Sequence, residues 1–149
     1  MTNHTTLLQE RNFKVNYEQV SDSLWRTTAE LTDEIHHIRT WLDISTPDLI
    51  VQDAGIEFIK MPFEECNLIC EKAKKLVGTK AQKLGFKIFR LFLGSSGCPN
   101  VYLLFGISGP AFYSIYNLNL VNDCKMSQND YNILMKKTCV AHKRIVKNI

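Results

Sequence analysis

The sequence predicts an α+β domain, in which an antiparallel β-meander of about four strands is followed by a layer of three to four helices. Four stretches between residues 11 and 60 alternate apolar and polar residues or are rich in β-formers, and short polar turns separate them. After Pro62 the apolar residues recur at steps of three and four, which is typical of helices. Strands first and helices after indicate the α+β class.

The four predicted strands are read directly from their side-chain patterns. "FKVNYEQV" (13–20) alternates, the turn "SDS" follows, and "LWRTTAEL" (24–31) completes a hairpin. "IHHIRTWLDI" (35–44) alternates again, and after "STPD" comes "LIVQDAGIEFIK" (49–60). Gly55 within the last stretch predicts a bulge or a bend.

Helices are predicted for the rest of the chain. Residues 63–77 form an amphipathic pattern, with Pro62 in the first turn and Gly78 as the C-cap. "LGFKIFRLFLG" (84–94) predicts a short helix ending at Gly94, with a strand as the alternative. We expect its apolar face to consist of Phe86, Phe89, Phe92 and Leu93.

The stretch from Leu93 to Leu118 holds no charged side chain, and we expect it to be a long buried helix. Asn, Ser, Gly and Pro residues interrupt it, which argues against a membrane span. Pro110 lacks an amide donor and should kink this helix, or split it near Gly109. Ser127 should cap one final basic helix that runs through Ile145.

Length and composition favour one globular domain over residues 1–149. We expect residues 1–10 to be a flexible tail, 11–60 mainly strands and 62–147 mainly helices. Apolar residues make up 45% and charged residues 22%, and the net charge is +3. Basic residues cluster at 60–90 and 136–147. We interpret the clusters as solvated helix faces, with anion binding as the alternative, and expect no nucleic-acid partner.

The cysteine count bears on the cellular compartment. Five cysteines form an odd number without a short-spaced disulfide framework, and the polar N-terminus does not look like a signal peptide. These features favour the cytoplasm, where thiols are free or metal-bound.

A series of short motifs over about residues 11–125 resembles an uncharacterised bacterial family of proteins of unknown function, domain family 2889. The resemblance implies no established activity. Two departures from the family pattern stand out. The family histidine after "GC" is Asn100 here, and the segment between Asp33 and His36 is shorter than is usual in the family. The residues that carry the resemblance are Leu24, Trp25, Leu31, Asp33, His36, Asp53, Ala54, Pro62, Cys66, Leu76–Gly78, Gly85, Phe86, Gly94, Gly97, Cys98, Asp123 and Cys124.

The turn "GSSGCPN" supplies the first candidate site. If Pro99 is the first helical residue, Cys98 is the N-cap, and unpaired backbone amides there favour a thiolate or hold an anion. The alternative is that Cys98 simply begins a buried helix, because cysteine is a small apolar residue. The candidate ligand- or anion-binding residues are Ser95, Ser96, Gly97, Cys98 and Asn100.

A metal site is the second candidate. Cys66, Cys98, Cys124 and His36 would hold zinc or an iron–sulfur cluster if the fold brought them together. Their spacing matches no zinc motif, and Cys66 and Cys70, one helical turn apart, equally fit core packing.

The function that the sequence favours is a non-catalytic binding or accessory domain for a protein partner or a small apolar ligand. The sequence contains no P-loop, G-x-G-x-x-G, G-x-S-x-G or H-E-x-x-H motif. A thiol or metal protein centred on Cys98, with Cys66 and Cys124, is the alternative. The aromatic residues of the long helix suggest a homodimer interface over 99–120, or the lining of an apolar pocket.

Overall fold

Four antiparallel strands form the first part of the fold in the computed structural model, which describes residues 6–147. They are β1 (Asn12–Ser21), β2 (Leu24–Thr32), β3 (His37–Ser45) and β4 (Ile50–Lys60). Each strand pairs with the next, in the order β1-β2-β3-β4. Helices follow the sheet, so the predicted α+β class and the N-terminal meander are confirmed.

Alternation gives the inner strands one buried face and one polar face. Ala29 and Leu31 of β2 and Ile38 and Leu42 of β3 are fully buried. On the other face, the guanidinium of Arg26 contacts both carboxylate oxygens of Asp43, at 2.6 and 2.7 Å. The sheet therefore covers the core on one side and pairs its charges on the other.

Gly55 was expected to mark a bulge or a bend, and the bulge is wrong. The register shifts of β4 fall between the pairs at Asp43/Ile44 and at His37/Ile38, whereas Gly55 pairs regularly with Trp41. A Cβ atom at Gly55 would lie 1.9 Å from the Trp41 ring. The glycine is there because the indole lies flat over its backbone.

The helical part begins with the 3₁₀ helices Glu64–Leu76 and Ala81–Lys83. The α-helices in the described part are α1 (Leu84–Phe92), α2 (Pro99–Asn122), α3 (Gln128–Met135) and α4 (Val140–Lys147). The chain divides after Pro110 into two compact units, and α2 contributes to both.

No helix in residues 6–147 is long and apolar enough to cross a membrane. Residues 6–11 have no regular secondary structure, and the first five residues of the expected tail lie outside the described part.

Three helix predictions need correction. The first helix is of the 3₁₀ type and begins after Phe63, so Pro62 precedes it, although Gly78 has the left-handed φ of +80° expected after a helix end. Helix α2 continues through Pro110, so of the two alternatives for this proline the split is wrong, whereas the kink stays a prediction. Ser127 caps α3 by accepting a bond from the Asp130 amide, but α3 ends at Met135 and a separate helix follows.

The buried face of α1 also differs from the prediction. Leu84, Ile88 and Phe92 are buried at helical spacing, whereas Phe86 and Phe89 are exposed. Four-residue steps from Leu84 define the true inner face, and the other two phenylalanines project from the opposite side.

The start of α2 is fixed against the sheet and α1 within the first unit. A Cβ atom at Gly109 would lie 3.2–3.5 Å from side chains of Leu42, Leu84 and Ile88, so the helix backbone approaches them closely. Phe105 stacks on Phe92 of α1 with ring centroids 5.1 Å apart. These contacts pack the part of α2 that belongs to the first unit against the sheet and α1.

We expect Gly55→Ala to lower the free energy of unfolding by about 1–3 kcal/mol, because the new methyl group displaces the Trp41 ring. Gly106→Ala is the control: a methyl group there meets nothing within 4 Å, and helical alanine is preferred to glycine. Urea unfolding followed by circular dichroism measures both. Equal stability of the two variants would contradict the close-approach account.

Candidate functional site

The glycine turn, residues 93–98, connects α1 to α2. Gly94 has a φ of +99°, and a Cβ at Gly97 would lie 2.0 Å from the Phe92 carbonyl oxygen. Cys98 directly precedes Pro99, the first residue of α2, and its carbonyl accepts the first helical bond, from the Tyr102 amide at 2.9 Å. The helix therefore begins at Pro99, as the sequence predicts.

Several groups of this turn already have partners inside the protein. The Gly97 amide donates to the Gly94 carbonyl at 3.0 Å, and the Cys98 amide donates to the Phe92 carbonyl at 3.0 Å. The ammonium group of Lys72 donates to the Ser96 carbonyl. Two of the amides considered for an anion therefore hold the turn together, while Ser95 and Ser96 are exposed.

The turn forms one wall of a cavity of about 450 Å³, which we call the cysteine groove. Two of the predicted metal ligands, Cys66 and Cys98, line it together with the predicted anion-binding residue Gly97, and both cysteines are half-buried. The full lining is Phe63, Glu65, Cys66, Ile69, Gly97, Cys98 and Pro99. Phenyl, aliphatic, prolyl and thiol groups dominate this surface, and Glu65 is its one charged residue.

The other predicted metal ligands are elsewhere. Cys124 belongs to the second unit, is exposed and has a φ of +58°. His36 takes part in the hydrogen-bond network described below. Within residues 6–147, no group of three or more His, Cys, Asp or Glu side chains could hold a metal ion. All five cysteines are free, and burial, with a smaller effect of Glu71, raises the pKa of the Cys70 thiol.

Four polar side chains close a ring of hydrogen bonds next to the glycine turn, which we call the polar ring. The Arg11 Nε donates to Asp33 at 2.8 Å, and its Nη2 donates to the Asn100 amide oxygen at 2.6 Å. The His36 Nδ1 lies 3.0 Å from Asp33, and its Nε2 lies 3.3 Å from the Asn100 amide nitrogen. Each member thus contacts two others.

The bonding pattern is self-consistent for a neutral imidazole. Asn100 accepts from Arg11 through oxygen, so its nitrogen is the donor toward His36. The Nε2 atom must then accept, which leaves the ring proton on Nδ1 to be donated to Asp33. Asn100 serves as both acceptor and donor in this ring.

Asp33 is the charged centre of the polar ring, and its side chain is fully buried. Burial opposes ionisation, but the Ile35 amide, Arg11 and the backbone and ring of His36 all donate to the carboxylate. Together they outweigh burial and hold the pKa of Asp33 well below its usual range. The network orders the β2–β3 turn and attaches it to the first turn of α2.

In the sequence, His36 and Asn100 are separate candidates that no pattern connects. Asp33 is one of several acidic side chains and part of the resemblance, and nothing there singles out Arg11. The available signal was Asp33 followed three residues later by His36, which fits an aspartate accepting backbone amides in a turn. Arg11 and Asn100 are 89 residues apart, and no local sequence pattern indicates that they make contact.

We expect Asp33→Asn to lower the free energy of unfolding at pH 7 by about 1–3 kcal/mol, because an amide cannot accept from every donor around it. The folded-state pKa lies below the unfolded value of about 3.9. The contribution of Asp33 is therefore complete above that value and is lost as pH falls toward the folded pKa.

Urea unfolding between neutral and acidic pH should show a shallower acid loss for Asp33→Asn than for the natural protein. Asp48→Asn, at an exposed turn residue, is the matched control. Parallel acid profiles for the natural protein and Asp33→Asn would refute this account.

The comparisons agree with the resemblance. The model of a family described as "Protein of unknown function (DUF2889)" matches residues 9–106, a range that includes the polar ring and the cysteine groove. Asp123 and Cys124 lie beyond the match. No curated protein and no solved structure matches the chain. Because the match covers more than half of the sequence, the chain belongs to the DUF2889 family of proteins of unknown function.

Proposed function

We propose that this protein is a non-catalytic binding domain that holds a small apolar ligand in the cysteine groove. One observation carries the proposal: a cavity of about 450 Å³ has a mostly apolar lining and lies at the predicted site. Cavities of this size with few polar groups are the usual form of small-molecule sites. Phe63 at its rim is 68% exposed, so a ligand there would remove phenyl surface from water.

The two walls of the groove are held in place before any ligand arrives. Lys72, on the 3₁₀ helix, donates to Ser96 of the glycine turn and so joins one wall to the other. The polar ring fixes the first turn of α2 through Asn100. A preformed cavity spares the ligand the cost of ordering the protein, which supports binding.

The test uses the neutral fluorescent probe N-phenyl-1-naphthylamine. We expect saturable binding with a single site, and about tenfold weaker binding to Phe63→Ala because a phenyl contact is lost. Leu68→Ala is the matched control, since Leu68 is 78% exposed on the same 3₁₀ helix and does not line the groove. Equal affinities for the two variants, or no saturable binding, would reject the groove as the site.

A thiol function is the second candidate, because Cys66 and Cys98 line the same groove. If Cys98 is an activated nucleophile, native-state alkylation with iodoacetamide must be faster at Cys98 than at the exposed Cys124. Peptide mass spectrometry gives both rates in one sample. A slower Cys98 would exclude the thiol function and leave the binding role.

We expect the protein to act in a reducing compartment such as the bacterial cytoplasm, since all five thiols are free.

Homodimerisation through residues 99–120 stays a prediction, and so does a protein partner. Sedimentation of the natural chain and of Tyr113→Asp tests the dimer: conversion of a dimer to a monomer would support it, and an unchanged monomer would end it.

A further inference from the structure

A second cavity, of about 590 Å³, lies in the first unit, and we call it the basic cavity. It shares no lining residue with the cysteine groove. Half of its lining residues are cationic, and none is acidic. The full lining is Gly78, Thr79, Lys80, Lys83, Phe86, Lys87, Arg90 and Leu91.

The cations of this cavity have no carboxylate partner among the described residues. Arg26 pairs with Asp43 and Lys74 pairs with Asp53, but Lys80, Lys83, Lys87 and Arg90 form no ion pair. The Arg90 guanidinium lies over the Phe86 ring, 5.7 Å from its centroid. This contact orients the guanidinium and leaves its N–H groups available for hydrogen bonds.

The backbone directs these four cations to one concave surface. Lys83, Lys87 and Arg90 are spaced by four and three residues at the start of α1 and along it, so they share one helix face. Lys80 is held separately, because the amide of Ala81 donates to the Leu49 carbonyl and residue 80 bridges to β4 at Ile50.

We propose that the basic cavity binds the polyphosphate group of a small molecule. One phosphate group carries about two negative charges near pH 7, so two linked phosphates come closer to the charge of the cavity than one does. Arginine matches two phosphate oxygens with its planar fork, and lysines add point charges around it. The concave shape and the volume favour a small molecule over an extended nucleic acid or a flat membrane surface.

The experiment is calorimetric titration of the full chain with inorganic pyrophosphate and with orthophosphate at low salt. We expect one pyrophosphate per chain, bound more tightly than orthophosphate. The double variant Lys83→Gln/Lys87→Gln should bind pyrophosphate about tenfold more weakly or worse, since two charged contacts are lost. Arg90→Lys should also weaken binding, because it keeps the charge but loses the fork.

The second unit offers a matched control. Lys136, Lys137 and Lys143 line another cavity, of about 460 Å³, that contains no arginine and no aromatic ring. Lys136→Gln/Lys143→Gln removes the same charge as the test variant, and we expect it to bind pyrophosphate as the natural protein does. Melting temperatures without ligand show that both double variants are folded.

Three results would overturn the proposal: no heat of binding, equal losses in the two double variants, or binding of RNA, an acidic peptide or anionic vesicles that pyrophosphate does not compete with. None of these depends on the cysteine groove. Phe63→Ala should bind pyrophosphate normally, so the two sites succeed or fail separately.

Discussion

The buried carboxylate of Asp33 is the constraint on which the candidate site depends. A fully buried charge is costly unless donors surround it, and the donors to Asp33 are its neighbours Ile35 and His36 and the distant Arg11. Arg11, just before β1, and His36, at the end of the β2–β3 turn, in turn contact Asn100 in the first turn of α2. Satisfying one carboxylate therefore fixes where the long helix begins, and with it the position of Cys98 and the wall of the cysteine groove.

Local physical rules made most of the fold predictable. The strands were readable because one face of the sheet is buried and the other is polar, so burial appears in the sequence as a period of two. The start of α2 was readable because Pro99 suits a first helical position. The helix start follows from properties of neighbouring residues. The same holds for Gly94, whose left-handed φ follows α1.

What could not be predicted is convergence between distant residues. Gly55 suggested a bulge or a bend because the sequence does not show that the Trp41 ring, on another strand, leaves no room for a side chain at this position. Phe86 and Phe89 looked like core because hydrophobicity does not show which side of α1 faces Leu42 and Phe105. The polar ring joins positions 11, 33, 36 and 100, and the shared lining by Cys66 and Cys98 joins two helical segments. Neither has a spacing that sequence periodicity detects.

The two cavities of the first unit draw all their lining from residues 63–99, and none from the strands. Charges on the sheet serve the fold, since Arg26 and Arg39 each face carboxylates on neighbouring strands. The four cations of the basic cavity differ, because none of them forms an ion pair with a carboxylate among the described residues. Like charges gathered without partners do not stabilise a fold. Such groups concentrate where proteins bind other molecules, which is the reason that the proposed sites are placed on the helical segment.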